Sequence, residues 1–169
     1  MRSRTAPWLV LCVLATACEE RPRVGENPLQ GVWSVVEMQD GASGGQWKAV
    51  QPGQFIFAQS RYTAVWVPQA DPRAISKKRW EPTTEEKIAH FESVVANAGT
   101  YDVSGSRVTL RPIVAKMPEF AGGNLTYEFR FESGDLVLEA IDERSVDNIR
   151  PPDFETTRER LRLRRIEGA

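Results

Sequence analysis

The residues of this chain that could do chemistry are few: three tyrosines, one histidine, two cysteines and a scatter of carboxylates. Tyr62, Tyr101 and Tyr127 each fall on the apolar side of an alternating segment. A hydroxyl placed there can hold the polar end of an otherwise apolar ligand. Glu37 shares the parity of Trp33. Turned inward, its carboxyl would have a raised pKa and could act as a base beside Tyr101 or Tyr127, as in a barrel isomerase. The expectation is instead that the strand ends there and Glu37 reaches solvent. His90 has no Cys or His partners at ligand spacing, so no zinc or paired-His metal site is expected. The chain has no Gly-x-Ser-x-Gly elbow, phosphate loop or His-Glu-x-x-His motif. No catalytic residue is assigned, and the chain is read as a non-enzyme.

The two cysteines point to an address. Arg2 and Arg4 form a short positive region, Pro7 to Ala17 is uncharged and mostly apolar, and Ala15-Thr16-Ala17 supplies small residues before Cys18. This is the order of a secretory signal peptide, and it is shorter than the roughly 20 apolar residues a membrane span needs. Leu14-Ala15-Thr16-Ala17-Cys18 resembles the bacterial lipoprotein box, with the favoured Leu one place early. That resemblance implies cleavage after residue 17, a diacylglycerol on Cys18 and a membrane-anchored protein. Glu19, in place of Asp, implies the outer membrane, with the protein facing the periplasm. Cys12 would leave with the leader and Cys18 would be blocked by lipid, so neither a disulfide nor thiol chemistry is expected.

Loss of residues 1–17 removes Arg2 and Arg4. The 22 bases fall to 20 against 23 acids, a net charge of −3 that gives no reason to expect nucleic-acid binding. Residues 18–28 read as a polar tether and 29–169 as one domain.

The elements that must position the tyrosines are strands. Leu125-Thr-Tyr-Glu-Phe-Arg-Phe-Glu132 alternates with period two, as do Tyr62, Ala64 and Trp66, and Leu161 and Leu163. Val108, Leu110 and Val114 read as another such face. Gln59-Ser60, Ser104-Gly105 and Ser133-Gly134 sit between strand-like runs as tight hairpin loops do. Eight strands are predicted, about 31–38, 53–58, 61–67, 99–103, 107–115, 124–132, 135–141 and 158–166. A meander of eight can close into an up-and-down barrel without exposed edges. One helix, about 84–98, is predicted from a capping box at Thr83 and Glu86 and from Ile88, Phe91, Val95 and Ala98 at helical spacing, with Gly99 as its stop. Its apolar stripe should pack on the outside of the first strand or plug one end of the barrel.

Gly31-Val32-Trp33 matches the Gly-x-Trp signature of lipocalins. Leu29 to Val36, Ala98 to Thr109 and Gly134 to Leu138 resemble the bacterial lipocalin-like domain family over roughly Leu29 to Glu167. The resemblance implies an all-β, antiparallel, eight-stranded barrel with one inserted helix. It also implies that Trp33 plugs the closed end beneath an Arg of the last strand, either Arg162 or Arg164. Haem is not implied, because haem-binding relatives carry their His elsewhere, and no cofactor is expected.

The predicted inward set is Trp33, Val35, Phe55, Phe57, Tyr62, Trp66, Tyr101, Val108, Leu110, Tyr127, Phe129, Leu136, Leu138, Leu161 and Leu163. Phe55, Phe57, Tyr62, Trp66, Tyr101, Tyr127 and Phe129 are the candidate ligand-binding residues. Such a lining suits a small apolar or amphipathic molecule, in a cavity smaller than a fatty acid needs. Two alternatives stay open: the barrel enzyme, and a structural or protein-binding lipoprotein whose rings fill the barrel. Trp47, Met117, Pro118 and Phe120 are candidates for the rim. Arg158, Arg160, Arg162 and Arg164 should pair with acids such as Glu139 and Glu155.

Overall fold

The computed structural model describes residues 27–41 and 45–166. The expected leader, Cys18 and most of the tether lie outside the described residues. Eight strands, β1 (Gly31–Asp40), β2 (Lys48–Ala58), β3 (Arg61–Val67), β4 (Val95–Ser104), β5 (Arg107–Ala115), β6 (Asn124–Glu132), β7 (Asp135–Arg144) and β8 (Glu159–Arg165), form a closed antiparallel barrel in sequence order. β8 pairs back onto β1, with Val35 opposite Leu163 and Met38 opposite Leu161. Closure leaves no edge strand. All fifteen side chains predicted to face inward are buried, and Val35, Val108, Leu136, Leu138, Leu161 and Leu163 are at 0% exposure. Alternation therefore located most of the core, because successive side chains on a strand leave opposite faces; Leu29, Met38 and Phe154 join it from a cap, a bulge and a connecting segment.

The two ends of the barrel differ, and loop length is the reason. Three two-residue turns, at 59–60, 105–106 and 133–134, close one end. Ser133 and Gly134 both have positive φ, 50° and 89°, as a primed hairpin turn requires. The other end carries four longer connections, at 41–47, 68–94, 116–123 and 145–158.

The short-loop end is sealed. Trp33 donates its indole N–H to the Leu29 carbonyl at 2.7 Å, and Phe131 tilts against its ring at 6.1 Å. The cation above Trp33 is Arg165, 5.2 Å from the ring centroid, and not Arg162 or Arg164. The reason is parity: Arg165 shares a face with Leu161 and Leu163, while Arg162 and Arg164 share the outer one. Arg165 also donates to the Gln30 carbonyl at 2.8 Å. Gly31 makes room for it. A Cβ there would stand 2.9 Å from the Arg165 Nη2, and its φ of +136° disfavours any side chain. The Asn27 amide bonds the Tyr101 hydroxyl, so the cap begins before Leu29.

The outer face of β8 is paired. Arg160 meets Glu139 at 2.8 Å, Arg162 meets Glu37 at 2.6 Å, and Arg164 grips both oxygens of Asp135. Glu155 pairs with Arg150 at 3.0 Å and not with an arginine of β8. Glu37 faces outward as expected, but not because the strand ends. β1 runs on to Asp40, and a bulge at Val36 reverses its parity, so Met38 enters the core and Glu37 leaves it. The isomerase reading that needed an inward Glu37 falls with this.

The helix α1 (Thr84–Glu92) starts where predicted, with the Thr83 and Glu86 capping box formed. It stops at Glu92 and not at residue 98. Val95 to Ala98 join β4, where they pair with β3 on one side and, from Asn97, with β5 on the other. Two ladders of backbone hydrogen bonds, and β-branched Val94 and Val95, outweigh a four-residue helical spacing. The expected stripe does not pack, since α1 buries no residue and Ile88 and Phe91 stay exposed. Hydrogen bonds hold it from the side: Arg73 to the His90 carbonyl at 2.8 Å, and Lys116 to the Phe91 carbonyl at 3.1 Å. Gly99 lies inside β4. Its Cβ would fall 1.9 Å from the Arg111 carbonyl oxygen, so only glycine permits the approach of β5. The same irregularity in the β4–β5 ladder sends Val114 outward, against the expected face.

Candidate functional site

The long-loop end opens on a cavity of about 220 Å³. Its floor is the upper layer of the core: Phe55 of β2, Leu110 of β5, Leu125 of β6 and Ala140 of β7. Met117 and Phe120 form one side of the rim. The β5–β6 connection brings them there, and Gly122 N–H fastens it to the Pro112 carbonyl at 2.8 Å. Phe154 forms the other side. It belongs to the short helix α2 (Phe154–Thr157), is buried, and lies under the Arg150 guanidinium at 4.3 Å.

The wall above this floor is polar. Glu159 opens β8 with the same inward parity as Leu161 and Leu163. It accepts a hydrogen bond from the Tyr127 hydroxyl at 2.5 Å. Burial pushes its carboxyl up to about 7; the Tyr127 hydrogen bond opposes that rise, while Glu143 and Asp40 add to it. Burial also holds the Tyr127 hydroxyl well above its ordinary value, with Glu159 reinforcing it. Glu143 lies opposite Leu125 and faces inward. Burial raises its carboxyl, and Asp153 and Asp142 raise it further. Asn97, on β4 across the barrel from β8, also lines the cavity, and its Oδ1 is buried without a hydrogen-bond partner. A carboxyl that titrates near neutrality beside a tyrosine can exchange a proton, and it can also accept a ligand's N–H or O–H.

Of the seven candidate ligand-binding residues, the structure brings Phe55 and Tyr127 to this cavity. Phe57 and Tyr101 meet edge to face at 5.1 Å nearer the sealed end. Trp66 and Phe129 are buried core. Tyr62 is also buried, at 2% exposure. Its hydroxyl has no hydrogen-bond partner and lies within electrostatic reach of Tyr127. Met117 and Phe120 reach the rim as expected, whereas Trp47 stacks on Arg162 at 4.3 Å on the outer wall. His90, in the last turn of α1, lies with its Nε2 3.1 Å from the Ala74 carbonyl.

The polar residues Asn97, Glu143 and Glu159 escape the reading from sequence. Glu159 was legible, since alternation back from Leu161 places it inward. Asn97 was hidden by the helix expected there. Glu143 was hidden by a bulge near Ile141, where Thr126 pairs with Asp142 but Tyr127 with Ala140.

No curated protein matches the chain at a significant level. A crystal structure of a lipocalin-like protein from Bacteroides uniformis is similar at a TM-score of 0.45 and 13% identity, over 82% of this chain and 98% of that one. A family model described as a lipocalin-like domain matches residues 30–166, from the cap over Trp33 to the residue after β8. The chain therefore belongs to the lipocalin-like domain family.

Proposed function

We propose that this protein binds a small amphipathic molecule at the open end of its barrel, without transforming it. The observation that carries this reading is the cavity itself: an apolar floor, aromatic sides and polar groups at the long-loop end of the barrel. Its 220 Å³ is room for roughly seven waters at about 30 Å³ each, below the roughly 300–1,000 Å³ of drug-sized pockets. The cargo is therefore smaller than a fatty acid. Native mass spectrometry of protein purified from its host tests the reading. A small co-purified molecule that is lost on replacing Leu125 by Trp, which fills the floor, supports it. Repeated isolation of the empty protein, with no small amphiphile shifting its melting temperature, refutes it.

A second reading has a specific observation behind it. A carboxyl titrating at about 7 and hydrogen-bonded to a tyrosine, as Glu159 is, suits acid–base catalysis. Turnover of a bound molecule that is lost in Glu159→Gln would favour it.

The proposal extends to location. Cys18 carries the lipid, and the protein works in the cell envelope at the outer membrane, facing the periplasm. The lipoprotein-like sequence ending at Cys18 supports this. Cys18→Ser should release the protein from the membrane fraction, and unchanged retention would count against the anchor.

A further inference from the structure

The β3–β4 connection, at the open end of the barrel, carries a tryptophan that neither packing nor turn chemistry accounts for. Trp80 is 97% exposed, whereas Trp33 and Trp66 are buried. It stands at the third position of a turn closed by the Glu81 N–H on the Lys78 carbonyl at 3.2 Å, with φ at 65°. That conformation favours Gly or Asn, and a bulky ring there is strained. Strain of this kind persists where a function uses it.

The charge around Trp80 is sorted by sequence. Between Asp71 and Glu81 the chain carries Arg73, Lys77, Lys78 and Arg79 and no acid. Lys78 pairs with Glu81. Among the described residues no carboxylate forms a salt bridge with Arg73, Lys77 or Arg79. Glu86 acts on Lys77 through its charge, but its two oxygens are taken by the Lys77 and Thr83 amides at 3.0 and 2.8 Å. Ile75, 66% exposed, lies with Arg79 and Trp80 along one shallow groove against His90. The loop is fastened to α1 from beneath. Arg73 donates to Ser93 Oγ and the His90 carbonyl, each at 2.8 Å. An indole and bases held ready in this way lose little freedom on docking.

A protein partner would need a packed patch of about 800 Å² on this surface. One ring projecting from a turn, with bases beside it, suits a fluid surface that needs no matching shape. Trp settles at the level of lipid headgroups, and Lys and Arg meet their negative charge.

We propose that Trp80 and the bases before it dock the open end of the barrel on an anionic lipid surface, with the indole and Ile75 in the headgroup layer and Lys77 and Arg79 against the phosphates. Docking brings the mouth of the cavity to the lipid. The contact is separate from a lipid on Cys18 and does not depend on the binding reading above.

Vesicle co-sedimentation of the purified full chain carrying Cys18→Ser tests it, so that no acyl chain contributes. Any binding by the leader is common to all variants, so each is read against this parent. Vesicles of equal parts phosphatidylglycerol and phosphatidylcholine should bind the parent, and phosphatidylcholine alone should show no Trp80-dependent binding. Trp80→Asn, which suits the turn, should weaken binding about tenfold. Each base at an anionic surface is worth roughly fivefold, so Lys77→Gln with Arg79→Gln should weaken it about twentyfold. Arg107→Gln, at the sealed end, should stay within about twofold. Brominated phosphatidylglycerol should quench a tryptophan signal that Trp80→Asn removes. Absence of binding to the anionic vesicles, Trp80→Asn within about twofold of the parent, or Trp80-dependent binding as tight on phosphatidylcholine overturns the proposal. A dimer that Trp80→Asn dissolves would overturn it in favour of a second copy of the chain, and poly-glutamate bound as tightly as the vesicles in favour of an acidic protein.

Discussion

Replacing Glu159 by Gln should make the protein more stable at neutral pH, and the gain should vanish in acid. In the unfolded chain this carboxyl ionises at its ordinary value of 4.5, whereas in the barrel burial pushes it up to about 7. Below pH 4.5 both states hold the proton, and the group contributes nothing to the pH dependence. Between the two values the unfolded chain has released its proton and the folded one has not. Each pH unit in that window lowers stability by about 1.4 kcal/mol. Above about 7 the loss is complete, at about 3 kcal/mol for a site closed to water. Some water reaches Glu159 at the rim, which lowers the figure to about 2–3 kcal/mol. Gln keeps an oxygen for the Tyr127 hydroxyl and removes the charge. The two proteins should therefore be equally stable near pH 4.5, while at about pH 8 the variant should melt roughly 5–10 °C higher, as expected for a domain of this size. Urea unfolding of both proteins, followed by tryptophan fluorescence across that pH range, measures the difference directly. Glu143 acts on Glu159, so the same pair of proteins is compared a second time in a Glu143→Gln background, which isolates the Glu159 contribution. Parallel stability curves, or a gain confined to acid, would refute the assignment of a buried, protonated Glu159.

Other substitutions probe the frame. Gly99→Ala drives a methyl into the Arg111 carbonyl, so it should cost about 3 kcal/mol or more, or prevent folding; a change under about 1 kcal/mol in denaturant titration would mean that β4 and β5 do not approach as described. Arg165→Ala removes the cation over Trp33 and the bond to Gln30, and should destabilise by about 1–2 kcal/mol with a change in Trp33 fluorescence. Glu37→Gln breaks a half-exposed ion pair outside the barrel, so stability should change by less than about 1 kcal/mol and ligand affinity not at all; a large loss of affinity would place Glu37 inside.

Much of the fold was legible because a pleated strand imposes its period locally. Trp33 and Val35, Tyr62 and Trp66, and Leu161 and Leu163 could each be assigned a face without knowledge of their partners. Hairpin turns at Gln59-Ser60 and Ser133-Gly134 were legible for the same local reason. The errors share a cause. Val94 to Ala98 fit helical spacing and β pairing alike, and only the neighbouring strands decide between them. The place above Trp33 is different: Leu161 and Leu163 assign that face to Arg165 by alternation along β8 alone, which excludes Arg162 and Arg164.

The candidate site was less legible than the core that supports it. Its apolar members, Phe55 and Tyr127, stand on regular strands. Its polar members stand where strands begin, end or bulge. Glu143 faces inward only because β7 has an extra residue relative to β6, and Glu37 faces outward only because β1 has one relative to β8.

The sequence by itself determined the face that most strand residues present, the tight turns and the Gly-x-Trp start, since each depends on residues close together in the chain. Only the tertiary structure decided the bulges, the end at which the barrel stays open, and the meeting of Asn97, Glu143 and Glu159 around one cavity. The physical reason is that a bulge, and the side its flanking residues face, is set by the register between two strands that meet only when the barrel closes. A single strand carries no record of its partner's residue count.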